Sequence, residues 1–102
     1  ITRKMVQKMC AETEGCYETP ELNTKLELQH RGIYEIRNLE EYVNVSWLYL
    51  QQNGIEVIEN IGHMTKLRGL YLNNNEILQL QNLENHKELK HLSVDENNLE
   101  SL

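Results

Sequence analysis

The fold is decided by the stretch Trp47-Leu48-Tyr49-Leu50-Gln51-Gln52-Asn53-Gly54-Ile55. Its leucines alternate with other residues, and this period of two indicates a short β-strand whose leucine side chains point inward. The first of these leucines returns every 22 residues, at Leu26, Leu48, Leu70 and Leu92. A period of this length predicts a solenoid in which each repeat contributes one strand to a stacked parallel sheet.

Further apolar positions follow in the same frame. They are Leu28, Leu50, Leu72 and Val94; Ile33, Ile55, Ile77 and Leu99; Ile36, Ile58, Leu80 and Leu102; Leu39, Ile61 and Leu83; Tyr42, Met64 and His86; and Val45, Leu67 and Leu89. In the segments that return to the next strand, apolar residues stand three apart, which suits 3₁₀-like turns on the convex side. A 22-residue repeat has too few residues for a full α-helix as well.

An asparagine stands three residues after the second leucine of each strand from the second repeat onward, at Asn53, Asn75 and Asn97. There the chain leaves the strand, and an amide side chain can bond backbone groups that the turn leaves unpaired. Arg31 occupies this position in the first repeat and cannot accept a hydrogen bond. The asparagine ladder is therefore predicted to begin at the second repeat, with the first turn looser or separately capped.

Residues 1–22 precede the repeats and predict a capping helix with a lead-in. Thr2 is a candidate N-cap, and Ile1 and Val6 have the spacing of a hydrophobic staple. An apolar stripe, formed by Met5, Val6, Met9 and Cys10, predicts that the helix covers the open edge of the first repeat. Gly15 is predicted to stop it.

Residues 23–102 are predicted to hold about three and a half repeats, because the frame breaks off at Leu102 inside the fourth. No terminal cap is visible in the sequence, which reads as a piece cut from a longer chain. An uncovered last strand is a pairing edge, so edge-to-edge association through this truncated repeat is expected.

The charge balance bears on the class of partner. Ten basic and sixteen acidic residues give a net charge of −6, which disfavours nucleic acid and an anionic membrane as partners. No apolar run approaches the roughly 18 residues of a transmembrane helix. The chain therefore reads as soluble and intracellular.

The two cysteines, Cys10 and Cys16, leave three readings open: a disulfide, part of a metal site, or free thiols. Small secreted domains usually carry more cysteines at framework spacing, so reduced and unreactive thiols are expected here.

The other chemistry-bearing residues form no catalytic or metal-binding motif. His86 occupies an inward position and is expected to be a partly buried histidine bonded to backbone. His30, His63 and His91 are expected on the surface. With no phosphate loop, nucleophile elbow or acid pair in the sequence, we expect no cofactor and no enzymatic activity.

The outward positions of the strands mark a candidate binding face. Trp47, Tyr49 and Tyr71 are predicted to form one aromatic patch on the concave sheet, with Gly69 opening space beside it. The predicted protein-binding face also includes Gln29, Gln51, Asn73 and His91. Exposed aromatic residues are common anchors of protein interfaces, although aromatic residues also simply favour strands. Charges flank the patch, with Lys25, Arg68 and Lys90 on one side and Asp95 and Glu96 on the other.

The chain resembles the 22-residue class of leucine-rich-repeat proteins. Their Ile-x-Asn-Leu turn signature appears as Ile36-Arg37-Asn38-Leu39, with variants at Ile58-Glu59-Asn60-Ile61 and Leu80-Gln81-Asn82-Leu83. This resemblance implies an α/β fold: a solenoid with a short parallel sheet on its concave face, 3₁₀-like turns on its convex face and an N-terminal capping helix.

A closer resemblance is to the dynein axonemal assembly factors with leucine-rich repeats. It is carried by the helical segment 1–10, and by Tyr17-Glu18-Thr19-Pro20-Glu21-Leu22-Asn23, Leu26-Glu27-Leu28-Gln29-His30-Arg31-Gly32, Asn38-Leu39-Glu40-Glu41-Tyr42, Trp47-Leu48-Tyr49-Leu50 and Asn53-Gly54-Ile55. It implies a non-catalytic cytoplasmic scaffold that preassembles dynein arms for ciliary or flagellar motility, with dynein chains and co-chaperones as partners. The alternatives are a regulatory subunit of a protein phosphatase and an axonemal dynein light chain.

Overall fold

The computed structural model describes residues 1–100, in which one four-stranded parallel sheet runs through the repeats. The strands, in both chain order and sheet order, are β1 (Lys25–Glu27), β2 (Trp47–Tyr49), β3 (Gly69–Tyr71) and β4 (His91–Ser93). Each strand pairs with the next at a shift of one repeat, so that Leu26 faces Leu48 and Leu48 faces Leu70. The predicted stack of parallel strands is confirmed.

The strands begin one residue earlier than the leucine alternation indicates. β2 includes Trp47 and ends at Tyr49, although Leu50 still donates its backbone N–H to the carbonyl of Tyr71 at 2.9 Å. Two residues later Gln52 adopts a left-handed backbone with φ 58°, which turns the chain out of the extended conformation. His30, Asn74 and Glu96 take the same conformation at the equivalent positions.

An aliphatic core fills the space behind the sheet, and the middle repeats bury their inward positions completely. Leu48, Leu70 and Ile58, for example, are fully enclosed. Inward positions toward the C-terminal end are more open: Leu80 is 49%, Leu92 38% and Leu99 39% exposed. A repeat's inward side chains are covered by the repeats on either side of it, and no described residue packs over the far side of the fourth. Leu102 lies outside the described residues.

The predicted asparagine ladder is present and ties each repeat to the one before it. Asn75 donates to the carbonyls of Leu50 and Leu72, at 2.9 and 3.0 Å, and accepts from the backbone N–H of Ile55 at 3.1 Å. Asn97 repeats this pattern one turn later. The ladder thus joins neighbouring repeats through buried backbone groups.

The first turn is held more firmly than its missing asparagine predicted. Asn53 reaches back from the second repeat and accepts from the backbone N–H groups of Arg31 and Ile33, both at 3.0 Å. It also donates to the carbonyl of Leu28 at 3.1 Å. Because each asparagine serves the preceding turn, the first repeat needs none of its own.

The convex side turns through single i→i+3 hydrogen bonds, in keeping with the predicted 3₁₀-like turns. In the second repeat, the N–H of Met64 donates to the carbonyl of Ile61 at 3.0 Å, and the N–H of Leu67 donates to the carbonyl of Met64 at 3.1 Å.

A second asparagine ladder, which was not predicted from the sequence, precedes these turns. Asn38, Asn60 and Asn82 adopt left-handed backbones and donate to the carbonyls of Ile1, Ile36 and Ile58.

The N-terminal helix α1 spans Arg3–Glu12, and its predicted cap is confirmed, since Thr2 Oγ1 accepts from the N–H of Met5 at 3.1 Å. Val6 and Met9 are buried against the core of the repeats. The helix ends three residues before Gly15, so the predicted stop is wrong. Thr13 leaves the helical conformation, and its hydroxyl donates to the carbonyl of Met9 at 2.7 Å.

Cys10 and Cys16 form a disulfide with 5.2 Å between their α-carbons, so the expectation of reduced thiols is wrong. The early end of α1 lets the chain fold back and brings the two cysteines together.

A short 3₁₀ helix, Pro20–Leu22, then leads into β1. Asn23 fixes this lead-in by pairing with both the N–H and the carbonyl of Tyr17 at 2.9 Å.

Two histidines belong to the turns. His86 is buried, with Nε2 2.8 Å from the carbonyl oxygen of Ile61, as predicted. His63 was expected in solvent, but its Nε2 lies 2.7 Å from the carbonyl oxygen of Leu39 and it is only half-exposed. Both rings bond a carbonyl of the preceding repeat, which is why His63 is held against the fold.

No helix within residues 1–100 has the length and apolar character needed to cross a bilayer.

Candidate protein-binding surface

The concave face is built from strand residues that alternate with the buried leucines. The register places them in two rows across the sheet. The first row is Lys25, Trp47, Gly69 and His91, and the second is Glu27, Tyr49, Tyr71 and Ser93. Neighbouring strands of a sheet lie about 4.8 Å apart, so side chains within a row are in contact range.

Tyr49 and Tyr71 stack on each other in the second row. Their ring centroids are 4.7 Å apart and the planes differ by 4°. Burial raises the pKa of the Tyr49 phenol, and the neighbouring Tyr71 and Glu27 raise it further. The pair is half-exposed, so one edge of each ring remains available to a partner.

Trp47 and His91 form the second stack, with centroids 5.9 Å apart and an angle of 29° between the planes. They belong to β2 and β4, so the indole must cross β3 to reach the imidazole. It crosses at Gly69, where an added Cβ would stand 2.6 Å from Cζ3 of Trp47. The space predicted beside Gly69 is therefore not open, because Trp47 fills it.

The two stacks form one continuous surface. The same added Cβ at Gly69 would lie 3.1 Å from Cε2 of Tyr71, which places Tyr71 beside Trp47. We call this surface the aromatic patch and define it as Trp47, Tyr49, Tyr71 and His91. The three aromatic residues predicted to lie together do so, and His91, predicted on the same face, completes the group.

The remaining predicted residues form a polar row next to the aromatic patch. Gln29, Gln51 and Asn73 are half-buried two residues after the second row. The Oε1 atoms of both glutamines are buried without a hydrogen-bond partner, whereas Asn73 Oδ1 accepts from the hydroxyl of Ser93 at 3.3 Å. These side chains therefore border the patch as a polar margin.

Within residues 1–100 there is no group of three histidine, cysteine or acidic side chains arranged to hold a metal ion. The concave face offers aromatic rings, amides and a few charges.

The comparisons with known proteins concern the repeats. Residues 43–85 match the family described as leucine-rich repeats in two copies. The search of curated proteins returned no significant match. Among solved structures, the chain is similar to an internalin from Listeria monocytogenes, with a TM-score of 0.81 and 24% sequence identity.

That similarity covers 97% of this chain and 30% of the internalin chain, so this chain spans about a third of the internalin's length. At this identity the likeness concerns the fold alone. Together with the matched segment, it establishes the predicted leucine-rich-repeat solenoid with its parallel sheet. Leucine-rich repeats commonly serve as protein-interaction scaffolds.

Proposed function

We propose that this leucine-rich-repeat solenoid is a non-catalytic scaffold for the cytoplasmic preassembly of axonemal dynein arms, binding a dynein chain or a co-chaperone through its aromatic patch. The dynein assignment is supported by the resemblance of residues 1–55 to the dynein axonemal assembly factors. The binding assignment is supported by one observation above all. Four aromatic rings meet on the concave face although the aliphatic core behind β2 and β3 is already closed.

The aromatic patch has the properties of an interface anchor. Aromatic side chains offer a large rigid contact area with few rotatable bonds, and tryptophan and tyrosine dominate the energetics of many protein interfaces. Cross-strand stacking also stabilises the sheet, by about 0.2–1 kcal/mol for each pair. That contribution accounts for strand aromatics in general, and the half-exposed rings of Trp47, Tyr49 and Tyr71 keep further surface for a partner.

The proposed cytoplasmic location, with association to cilia or flagella, rests on the same resemblance. One feature of the structure favours another compartment: the Cys10–Cys16 disulfide, since disulfides persist mainly in oxidising environments. The redox state of this pair in cells therefore tests the location independently of the partner.

The test of the partner is co-purification of the full chain from ciliated cells. Replacement of Trp47 and Tyr71 by alanine should remove dynein chains and co-chaperones from the eluate. Tyr34→Ala is the matched control, because Tyr34 is an exposed tyrosine away from the concave strands. Unchanged recovery with the double variant, at intact folding, would rule out the patch.

The identity of the bound proteins tests the dynein assignment itself. Recovery of phosphatase catalytic subunits in place of dynein chains would contradict it. Retention of the protein in demembranated axonemes would instead indicate a light chain of the assembled motor, because an assembly factor is washed out with the cytoplasm.

A further inference from the structure

Three cations border the aromatic patch at the N-terminal ends of the strands. Lys25 is the first residue of β1 and stands in register with Trp47. Arg68 and Lys90 directly precede β3 and β4, and the N–H of Lys90 donates to the carbonyl of Arg68 at 2.9 Å. All three are exposed, and we call them the basic strip.

Within residues 1–100, no acidic side chain forms an ion pair with the basic strip. The ion pairs within this part of the chain join Arg3 to Glu41 and Arg37 to Glu35, both outside the concave strands. The chain as a whole carries a net charge of −6, so three cations without ion pairs beside one surface stand out against an acidic background. Like charges on adjacent repeats repel each other, and a binding partner of opposite charge would relieve that repulsion.

Two kinds of carboxylate lie on this face: Glu27 stands in the second row, two residues after Lys25, and Asp95 lies two residues past the end of β4. Asp95 lies five positions after Lys90, which is roughly 16 Å of extended chain and longer than the Debye length of about 8 Å in physiological salt. In the third and fourth repeats, where Arg68 and Lys90 lie, the face is therefore polarised along the strands. Its cationic end borders Trp47 and His91, and its anionic end lies beyond the polar margin.

We infer that the partner segment of the proposed scaffold is an acidic peptide, which lies across the strands with carboxylates on the basic strip and apolar side chains against the aromatic patch. This inference rests on the proposed function, because it concerns the same face. Four strands span about 14 Å, which matches roughly four residues of an extended segment. Nucleic acid also carries negative charge, but the acidic end of the face and the overall charge oppose a polyphosphate backbone.

The test is an unbiased selection of random 16-residue peptides displayed on phage against the full chain. Three proteins are compared: wild type, Arg68→Glu with Lys90→Glu, and Lys4→Glu with Lys8→Glu. The last variant carries the same charge change on exposed positions of α1 and is the matched control. A selected peptide is then synthesised without tryptophan and titrated against the emission of Trp47, the only tryptophan in the chain.

The expected wild-type pool is enriched in Asp and Glu, and its peptide alters Trp47 emission. The Arg68→Glu, Lys90→Glu variant should bind that peptide about tenfold more weakly or worse, whereas the Lys4→Glu, Lys8→Glu variant should bind it with unchanged affinity. A selected pool that is empty, neutral or basic overturns the inference. Equal affinity of the peptide for wild type and for the Arg68→Glu, Lys90→Glu variant also overturns it. Tighter binding of a 12-nucleotide single-stranded DNA than of the peptide also overturns it.

The two proposals fail in different ways. If alanine at Trp47 and Tyr71 abolishes recovery of the cellular partner but the charge reversal does not, the acidic character of the partner is wrong and the binding face stands. If neither set of variants changes recovery, the concave face is not the binding surface.

Discussion

The indole ring of Trp47 covers the α-carbon of Gly69, and this contact organises the concave face. A Cβ at Gly69 would stand 2.6 Å from Cζ3 of Trp47, well inside van der Waals contact. Gly69 is consequently buried, although it lies on the open side of the sheet. The absence of a side chain in β3 is what lets a ring from β2 reach His91 in β4.

Gly69→Ala should therefore displace the indole and break its stack with His91. Gly69 has no positive φ, so the backbone tolerates alanine and the cost falls on the ring, at about 1–2 kcal/mol of unfolding free energy. Urea unfolding measures this loss, and a change in Trp47 emission reports the displaced ring. Gly62→Ala is the control, because its Cβ would meet only the amide end of the exposed Asn85 side chain. Equal stability and emission in the two variants would show that Trp47 does not depend on Gly69.

Asn75 is the most enclosed member of the asparagine ladder, and its replacement tests how strongly the ladder joins the repeats. Asn75→Ala leaves the N–H of Ile55 without its partner and removes the side-chain donor to the carbonyls of Leu50 and Leu72. A buried backbone group without a partner costs about 1–3 kcal/mol, so we expect a total loss of about 3 kcal/mol. Thermal or urea unfolding measures it.

Asn85→Ala serves as the comparison for the ladder. Asn85 is exposed and makes a single 3.4 Å bond to the carbonyl of Gly62, so its loss should cost less than about 0.5 kcal/mol. A loss of similar size in both variants would contradict the assigned role of Asn75.

The repeat period was enough to predict the sheet, its register and the aromatic patch. Once Leu26 and Leu48 are aligned, every outward residue acquires a fixed neighbour, so Tyr49 must lie beside Tyr71. Register also put Trp47 and His91 in one row. It could not predict that their rings meet, because a ring that crosses an intervening strand depends on side-chain rotation rather than on position.

Features that depend on a short-range change of backbone direction were less predictable. α1 ends at Glu12 rather than near Gly15, because Thr13 adopts an extended backbone and bonds the carbonyl of Met9 through its hydroxyl instead of its N–H, an option open to threonine at many positions. That early end is also what brings Cys10 near Cys16. The second ladder was missed although its asparagines were visible, since the signature at Asn38 does not reveal which carbonyl the amide will reach.

His86 carries a buried nitrogen without a partner, which makes its replacement informative. Its Nδ1 has no hydrogen-bond partner, whereas its Nε2 bonds the carbonyl of Ile61. The same carbonyl also accepts from the backbone N–H of Met64 at 3.0 Å. His86→Met supplies the residue found at this position in the second repeat. It removes the unpaired nitrogen while the carbonyl keeps its backbone donor, so we expect stability to rise by about 1 kcal/mol.

His86→Ala is the companion variant, and it should lose about 1–3 kcal/mol because it leaves a cavity. Both values come from urea unfolding at constant pH. If methionine destabilises the protein as much as alanine does, the histidine makes a contribution that its contacts do not explain.

The Cys10–Cys16 disulfide ties the last turn of α1 to the segment that follows the helix, so its reduction should loosen the N-terminal cap. Closure of a loop of this size is worth about 2 kcal/mol in the chain-entropy account. Dithiothreitol should lower the unfolding free energy by that amount and speed amide exchange in α1. The Cys10→Ser, Cys16→Ser variant should be as stable as the reduced protein, and dithiothreitol should not change its stability.

Mass-tag alkylation in intact cells then tests the proposed compartment, because a cytoplasmic protein should present both thiols reduced. An oxidised pair in cells would exclude the cytoplasmic location while leaving the aromatic patch and its partner open to the same binding tests.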